Sequence, residues 1–321
     1  MLNSLAPHLI GTLGSTWNGT DMRTKNRIVE ILLNKDTIIW ATQIDLSNFN
    51  LSRSNKRILN DILNSQNGRK NFKQVKNFIA NNNREIIKDF SSLITLENLT
   101  LRNNGFIDMN DLRFPPSLKK LDLSNNSIRS FKNNFNTYVP LLTNLDMSVN
   151  NLSDHPRQII LGNRPVTIPA FNFAELPQTL KELNLSSNRF YGLSNFTNLP
   201  NNLEILMVDD NIFNDVNVSV LPNNLRMLSL NIRQNNTQII PNFTQLPTGL
   251  EILQMNNCYF SGSPDLTQLP RLLQKFESFN NQYTGNLDLS RLPDLIQSVD
   301  LSLNQFVGNL DLSTIPASLH P

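Results

Sequence analysis

The residues best suited to chemistry in this chain are few and scattered. Its three histidines, His8, His155 and His320, could ligate a metal or carry protons, but they lie far apart in sequence and share no ligand spacing. The lone cysteine, Cys258, could be a nucleophile, yet one thiol allows no disulfide within the chain and no multi-cysteine zinc site. Asp209 and Asp210 form an adjacent acidic pair. Side by side on an open strand they would face no enclosed pocket, so hydrolytic chemistry is a weak reading. No Gly-rich phosphate loop, nucleophile elbow, HExxH or CxxC occurs. The expectation is a protein without catalytic residues, cofactor or metal.

The elements that would position these residues follow from composition and period. Leu and Asn each occur 51 times in 321 residues, and mean hydropathy is −0.28 with 39% hydrophobic residues. Such a chain has enough apolar side chains for a core, and no run approaches the roughly 20 apolar residues that span a bilayer. The frame L-x-x-L-x-L-x-x-N-x-L opens at Leu96, Leu118, Leu142, Leu180, Leu203, Leu225, Leu250, Leu273 and Ile296. Apart from the long step between Leu142 and Leu180, the units start about 23 residues apart, and Leu319 falls one further step on. Within each unit the L-x-L alternation predicts a short strand with one buried face, as at Leu99/Leu101, Leu121/Leu123, Leu183/Leu185 and Leu228/Leu230. One coil cannot bury its apolar face alone, so neighbours must stack.

The ninth position is held by Asn104, Asn126, Asn150, Asn188, Asn211, Asn281 and Asn304. There the backbone leaves the strand and loses its partners, and a buried amide can supply both donors and an acceptor. Cys258 stands at the same place and reads as a rung of that ladder, a buried thiol with nothing to activate it. Most units also carry a proline motif before the opening Leu, among them FPPSL, LPQTL, LPNNL, LPTGL, LPRLL, LPDLI and IPASL. Proline disfavours helix at the residue before it, so the return path should be extended or a single turn. SPDLTQLP, GNLDLSRLP and GNLDLSTIP alternate apolar and polar residues and suggest a small second strand.

Over residues 94–321 these motifs resemble the leucine-rich repeat superfamily, in the L-P-x-x-L-x-x-L-x-L-x-x-N-x-F-x-G form of about 23 residues found in protists and related to bacterial LPxxL repeats. That pattern accepts Asn or Cys at the ninth position. The resemblance implies an α/β horseshoe solenoid with a concave parallel sheet, and a scaffolding or recognition role without chemistry of its own.

Departures from the frame are informative. The sixth unit has Arg233 where Asn belongs, and its step from Leu225 to Leu250 is longer than the common one by two, which predicts a bulge at Asn231 to Gln234 that returns Asn235 to the ladder. The long step from Leu142 to Leu180 places an insertion near 153–170, with Pro156, Pro165 and Pro169, expected as a surface loop. Residues 1–93 do not repeat. Met1 to Trp17 reads as an amphipathic helix rather than a secretion signal, because it lacks a basic start and contains Pro7 and His8. Amphipathic helices are expected at Arg27 to Leu33, Lys56 to Leu63 and Asn71 to Phe90, with ATQIDLSNFNL from Ala41 a degraded repeat strand. Together they would form a helical N-terminal cap over the first coil. The last coil has no such cover, which leaves an end through which copies could associate.

Charge points to the partner class. Residues 1–95 hold 13 Lys+Arg and 7 Asp+Glu, and the remainder 15 and 19. Arg53 to Lys88 has nine basic and two acidic residues, without interleaved aromatics or a nucleic-acid motif, and reads as a solvated helix face. At repeat positions 2, 3, 5, 7 and 8, the expected concave face, six basic residues meet ten acidic ones, which excludes nucleic acid as the ligand there. Position 3 carries Ile205, Met227 and Ile252 in successive units, flanked by Glu204, Met207, Asp209, Asp210 and Glu251. An apolar row rimmed by acids is the expected protein-binding patch. Ten N-x-S/T sequons, such as Asn18-Gly-Thr, Asn98-Leu-Thr, Asn195-Phe-Thr and Asn242-Phe-Thr, decide little in a chain so rich in these residues. The primary expectation is a cytoplasmic, non-enzymatic binding module. A secreted or surface adhesion protein, and the substrate-receptor part of a larger enzyme, remain alternatives.

Overall fold

A computed structural model describes residues 42–48, 72–84, 87–161, 164–192, 196–214, 217–231, 242–313 and 315–319. The chain divides into two compact units, Met1–Asn150 and Asn151–Pro321.

The first unit stacks five three-residue strands in parallel: β1 (Gln43–Asp45), β2 (Asn77–Ile79), β3 (Asn98–Thr100), β4 (Lys120–Asp122) and β5 (Asn144–Asp146). The second holds an antiparallel hairpin, β6 (Arg157–Leu161) and β7 (Arg164–Ile168). It is followed by six parallel strands: β8 (Glu182–Asn184), β9 (Ile205–Met207), β10 (Met227–Ser229), β11 (Ile252–Gln254), β13 (Lys275–Glu277) and β15 (Ser298–Asp300). Two further strands, β12 (Ser261–Gly262) and β14 (Gln282–Tyr283), pair in parallel beside the main sheet. From β2 to β5, and again from β8 to β15, main-sheet strands recur at a nearly constant interval. Each unit is therefore a parallel β-solenoid with coils of about 23 residues.

The strands are short because only three residues per coil alternate. The central residue of each main-sheet strand before β15, such as Leu99, Leu121, Leu206 or Leu253, is buried, while its two neighbours stay on the sheet face. Positions 1, 4 and 6 supply the core leucines, and the eleventh adds aromatic filling. In the second unit Phe171, Phe173, Phe190, Phe196 and Phe213 pack with ring centroids 4.3 to 5.9 Å apart. The proline motif closes each coil with a turn: the Leu180, Leu203, Leu225 and Leu250 amides donate to the carbonyls of Pro177, Pro200, Pro222 and Pro247 at 3.1 to 3.2 Å. The residue before the proline, for example Leu176 at φ −74°, ψ 141°, is extended as the ring requires.

Three expectations are corrected. The α/β class does not hold, because the described residues are nearly all β. Their helical content is one four-residue turn, Phe135–Tyr138, and five three-residue 3-10 turns. Nor do the described residues before 94 form a helical cap. The segment expected as helix from Asn71 to Phe90 contains β2, whose Phe78 pairs with Leu99 in the next strand. Its apolar residues fit a repeat, Val75-x-x-Phe78-x-Ala80, as well as a helix, and β-pairing to a formed neighbour decides between them. The helices expected at 1–17, 27–33 and 56–63 lie outside the described residues. Finally, SPDLTQLP and GNLDLSRLP form not a strand but a 3-10 turn, Leu266–Gln268 and Leu289–Arg291, and the small second strands β12 and β14 fall earlier in their coils. The interval 153–170 carries the β6–β7 hairpin, and the degraded strand expected after Ala41 is β1.

Candidate functional site

The ladder residues couple one coil to the next. Asn126 Oδ1 accepts from the Asn104 and Phe106 amides of the preceding coil at 2.9 and 3.2 Å, and its Nδ2 donates back to the Leu101 carbonyl at 3.0 Å and to its own Leu123 carbonyl at 2.8 Å. Asn104, Asn150, Asn188, Asn211, Asn281 and Asn304 repeat the scheme, each accepting from an amide of an earlier coil. The Cys258 thiol takes the donor's part, 3.0 Å from the Leu230 carbonyl. Asn235 and, apart from Asn231, the bulge expected at Asn231 to Gln234 lie outside the described residues. Sequence reasoning missed one rung, Asn83, which is buried with Nδ2 on the Leu46 and Asn81 carbonyls at 2.8 Å. The spacing from Val75 to Asn83 carries that signal once Phe and Ala are admitted in place of Leu.

A second column, also missed, runs along the eighth position. Asn48, Asn82, Asn103, Asn125, Val149, Ser187, Asp210, Asn257, Asn280 and Leu303 all have φ between 52° and 62°. Asn is the non-glycine residue best able to adopt this left-handed conformation, and here its side chains also link coils. Asn82 donates to Asn48 and Asn103 to Asn82, both at 2.8 Å, and Asn280 donates to Asn257 at 2.6 Å. A third group caps the 3-10 turns: Asn172, Asn217, Asn242, Asp265 and Asp288 accept from the amide two residues on at 3.0 to 3.2 Å. Asn242 is thus engaged within its sequon, as is Asn98, which donates to Asn77 at 2.6 Å.

The expected binding residues lie on the sheet face of the second unit. Register places Met227 beside Ile205 on one side and Ile252 on the other, so three apolar side chains stand in one row across β9, β10 and β11. All three are half-buried, over Leu206, Leu228 and Leu253 beneath. Glu182 continues the row beyond Ile205 and Lys275 beyond Ile252. Met207 stands two residues along β9, next to Ser229.

The flanking acids are not equivalent. Glu204 takes the Lys181 ammonium at 2.7 Å, and Glu251 takes the Arg226 guanidinium at 2.9 and 2.6 Å. These pairs come from a position-2 column of alternating charge that the first unit repeats as Lys76–Glu97–Lys119. Asp209 turns toward the next coil: its Oδ1 accepts from Ser229 Oγ at 2.7 Å and from the Asn231 amide at 2.9 Å. Burial pushes its carboxyl above the usual aspartate value, against the pull of those donors. Asp210 belongs to the left-handed column, accepts from Ser187 Oγ at 3.3 Å, and lines a cavity of about 660 Å³ with Asn231, Asn257, Tyr259 and Asn280. The structure therefore gathers Ile205, Met227, Ile252 and Met207 on one surface, with Glu204 and Glu251 bound in ion pairs along one side and Asp209 and Asp210 along the other.

Among the described residues no three His, Cys, Asp or Glu side chains gather as a metal site would, and no helix is long and apolar enough to cross a membrane. No protein-family model matches the chain, and no curated protein matches its sequence.

Proposed function

We propose that the chain is a leucine-rich repeat protein that binds another protein through the sheet face of its second unit and has no chemistry of its own. The family reading is supported by coils of about 23 residues, leucines at positions 1, 4 and 6, and an asparagine ladder at position 9. The binding reading rests on one observation, the register that sets Ile205, Met227 and Ile252 side by side on a solvated sheet face. Three half-buried apolar side chains on neighbouring strands, about 4.8 Å apart, form a contiguous surface that a partner can dehydrate. Ion pairs at Lys181–Glu204 and Arg226–Glu251 border it, as a polar rim borders an interface centre.

The test is affinity purification from the native cells with the wild-type chain and with the triple variant Ile205→Asp, Met227→Asp, Ile252→Asp. The variant should fold, because these side chains stand on the sheet face, and should lose partners by about tenfold or more, as central interface truncations do. Capture unchanged by the triple variant would refute the surface.

A further inference from the structure

The two units present sheet faces of different character. Over positions 2, 3, 5, 7 and 8, the five coils of the first unit carry four cations and four carboxylates, with Ile79 and Val149 the only aliphatic residues. Among the described residues of the same positions in the second unit are three cations and seven carboxylates around the Ile205–Met227–Ile252 row. All three cations are already held: Lys181 by Glu204 at 2.7 Å, Arg226 by Glu251 at 2.6 Å and Lys275 by Glu277 at 2.6 Å. The acidic excess comes from Glu182, the cross-strand neighbour of Ile205, from Asp209 and Asp210 beyond Met207, and from Asp300 in β15. Six strands span about 24 Å, about three Debye lengths of roughly 8 Å at physiological salt, so each carboxylate acts on the part of a bound segment that lies nearest it.

We infer that the occupant of this face is a cationic amphipathic segment of another protein. It would lay apolar side chains over Ile205, Met227 and Ile252 and place Lys or Arg toward Glu182 on the β8 flank, toward Asp209 and Asp210 past the end of β9, and toward Asp300 on the β15 flank. Nucleic acid, an anionic bilayer and an acidic or phosphorylated peptide all bring charge of the wrong sign to this surface. The inference rests on the binding surface proposed above and adds the chemistry of what it binds.

Fluorescence anisotropy on the full chain tests it with three labelled peptides of equal length: Leu/Lys amphipathic, Leu/Glu amphipathic, and Ser/Lys. The Leu/Lys peptide should bind best, and more weakly as salt rises. Glu182→Gln and Asp300→Asn, which keep the side-chain shape, should each weaken it by roughly two- to fivefold, the scale of one exposed charge. The triple variant Ile205→Ser, Met227→Ser, Ile252→Ser should abolish it; serine is used so that no charge is added. Circular dichroism of each variant checks the fold. Failure of the Leu/Lys peptide to bind, equal binding of either other peptide, or indifference to both charge variants overturns the cationic amphipathic partner. If a different peptide binds and the serine variant abolishes that binding, the surface stands without this partner. If peptides bind and the serine variant changes nothing, the surface falls as well.

Discussion

Asn281 holds Cys258 from the following coil: its Oδ1 accepts from the Cys258 amide at 2.9 Å, and from Phe260 in the same stretch at 3.1 Å. Its Nδ2 donates to the Met255 carbonyl of that earlier coil at 2.9 Å and to its own Ser278 carbonyl at 3.1 Å. One buried amide thus meets backbone needs in two coils. Asn281→Ala should destabilise the chain by about 1–3 kcal/mol, the cost of leaving such groups buried and unmet. Urea unfolding measures this, and a change within error would remove the ladder as a source of stability.

The Cys258 thiol is buried, 3% exposed, and lies 3.0 and 3.2 Å from the Leu230 and Asn256 carbonyls. Reaction with a thiol reagent such as Ellman's should await unfolding and track denaturant concentration. Rapid labelling of the native protein would contradict a structural role.

Val149 occupies the left-handed column at φ 54°, where its branched side chain is strained, and it is 47% exposed. Val149→Asn should therefore raise stability by about 1 kcal/mol, since the strain exceeds the little apolar burial lost. A lower Tm for the variant would show that conformation does not select the residue here.

Asp209 has its carboxyl pKa raised by burial, so its stability effect runs opposite to that of an ion-paired aspartate. A raised folded pKa favours the folded state fully below the unfolded value near 3.8, and that gain is lost as pH rises through the folded value. Asn fits the site, because Oδ1 can still accept from Ser229 and Asn231 while Nδ2 faces the Ser186 hydroxyl, 3.4 Å from Oδ2. Wild type and Asp209→Asn should be closest in stability below pH 3.8, with the variant gaining on wild type toward neutral pH. Denaturation profiles at several pH values check the sign, and a difference independent of pH would remove the titration.

The β6–β7 hairpin is tied at its base by Asp154, whose carboxylate accepts from the Tyr191 and Gly192 amides, both at 2.9 Å. Two-stranded hairpins are marginal by themselves. Asp154→Ala should accelerate tryptic cleavage after Arg157 with little change in global stability; after Arg164, Pro165 blocks the enzyme. Equal fragment yields from both proteins would show that the anchor is elsewhere.

What the sequence reveals follows from how each signal is built. The nine ladder units are legible because Leu and Asn recur at fixed distance, and the row Ile205–Met227–Ile252 because stacked coils put equal positions side by side. The coil from Val75 reads as helix because Phe78 and Ala80 stand in for Leu, and so few apolar residues fit either period. The turns at Leu266 and Leu289 read as strands because the mix of apolar and polar residues does not show that Asp265 and Asp288 will cap the chain into a turn. The asparagines beyond the ladder have no evident cause in composition. For six of them, Asn48, Asn82, Asn103, Asn125, Asn257 and Asn280, the cause is conformational, a backbone at φ near 55° in almost every coil, and dihedral angles leave only a faint trace in a single sequence.

The ladder also gives each array a direction. The described asparagine rungs from Asn104 onward accept from the coil on their N-terminal side, so removing a coil from the C-terminal side turns amide donors, such as those of Cys258 and Phe260, over to water. Removing one from the N-terminal side deprives the remaining Asn of its partners there but strands no backbone amide in that scheme. The two edges of an array are therefore chemically unlike: a C-terminal edge turns backbone amide donors to water, and an N-terminal edge turns side-chain carboxamides to it.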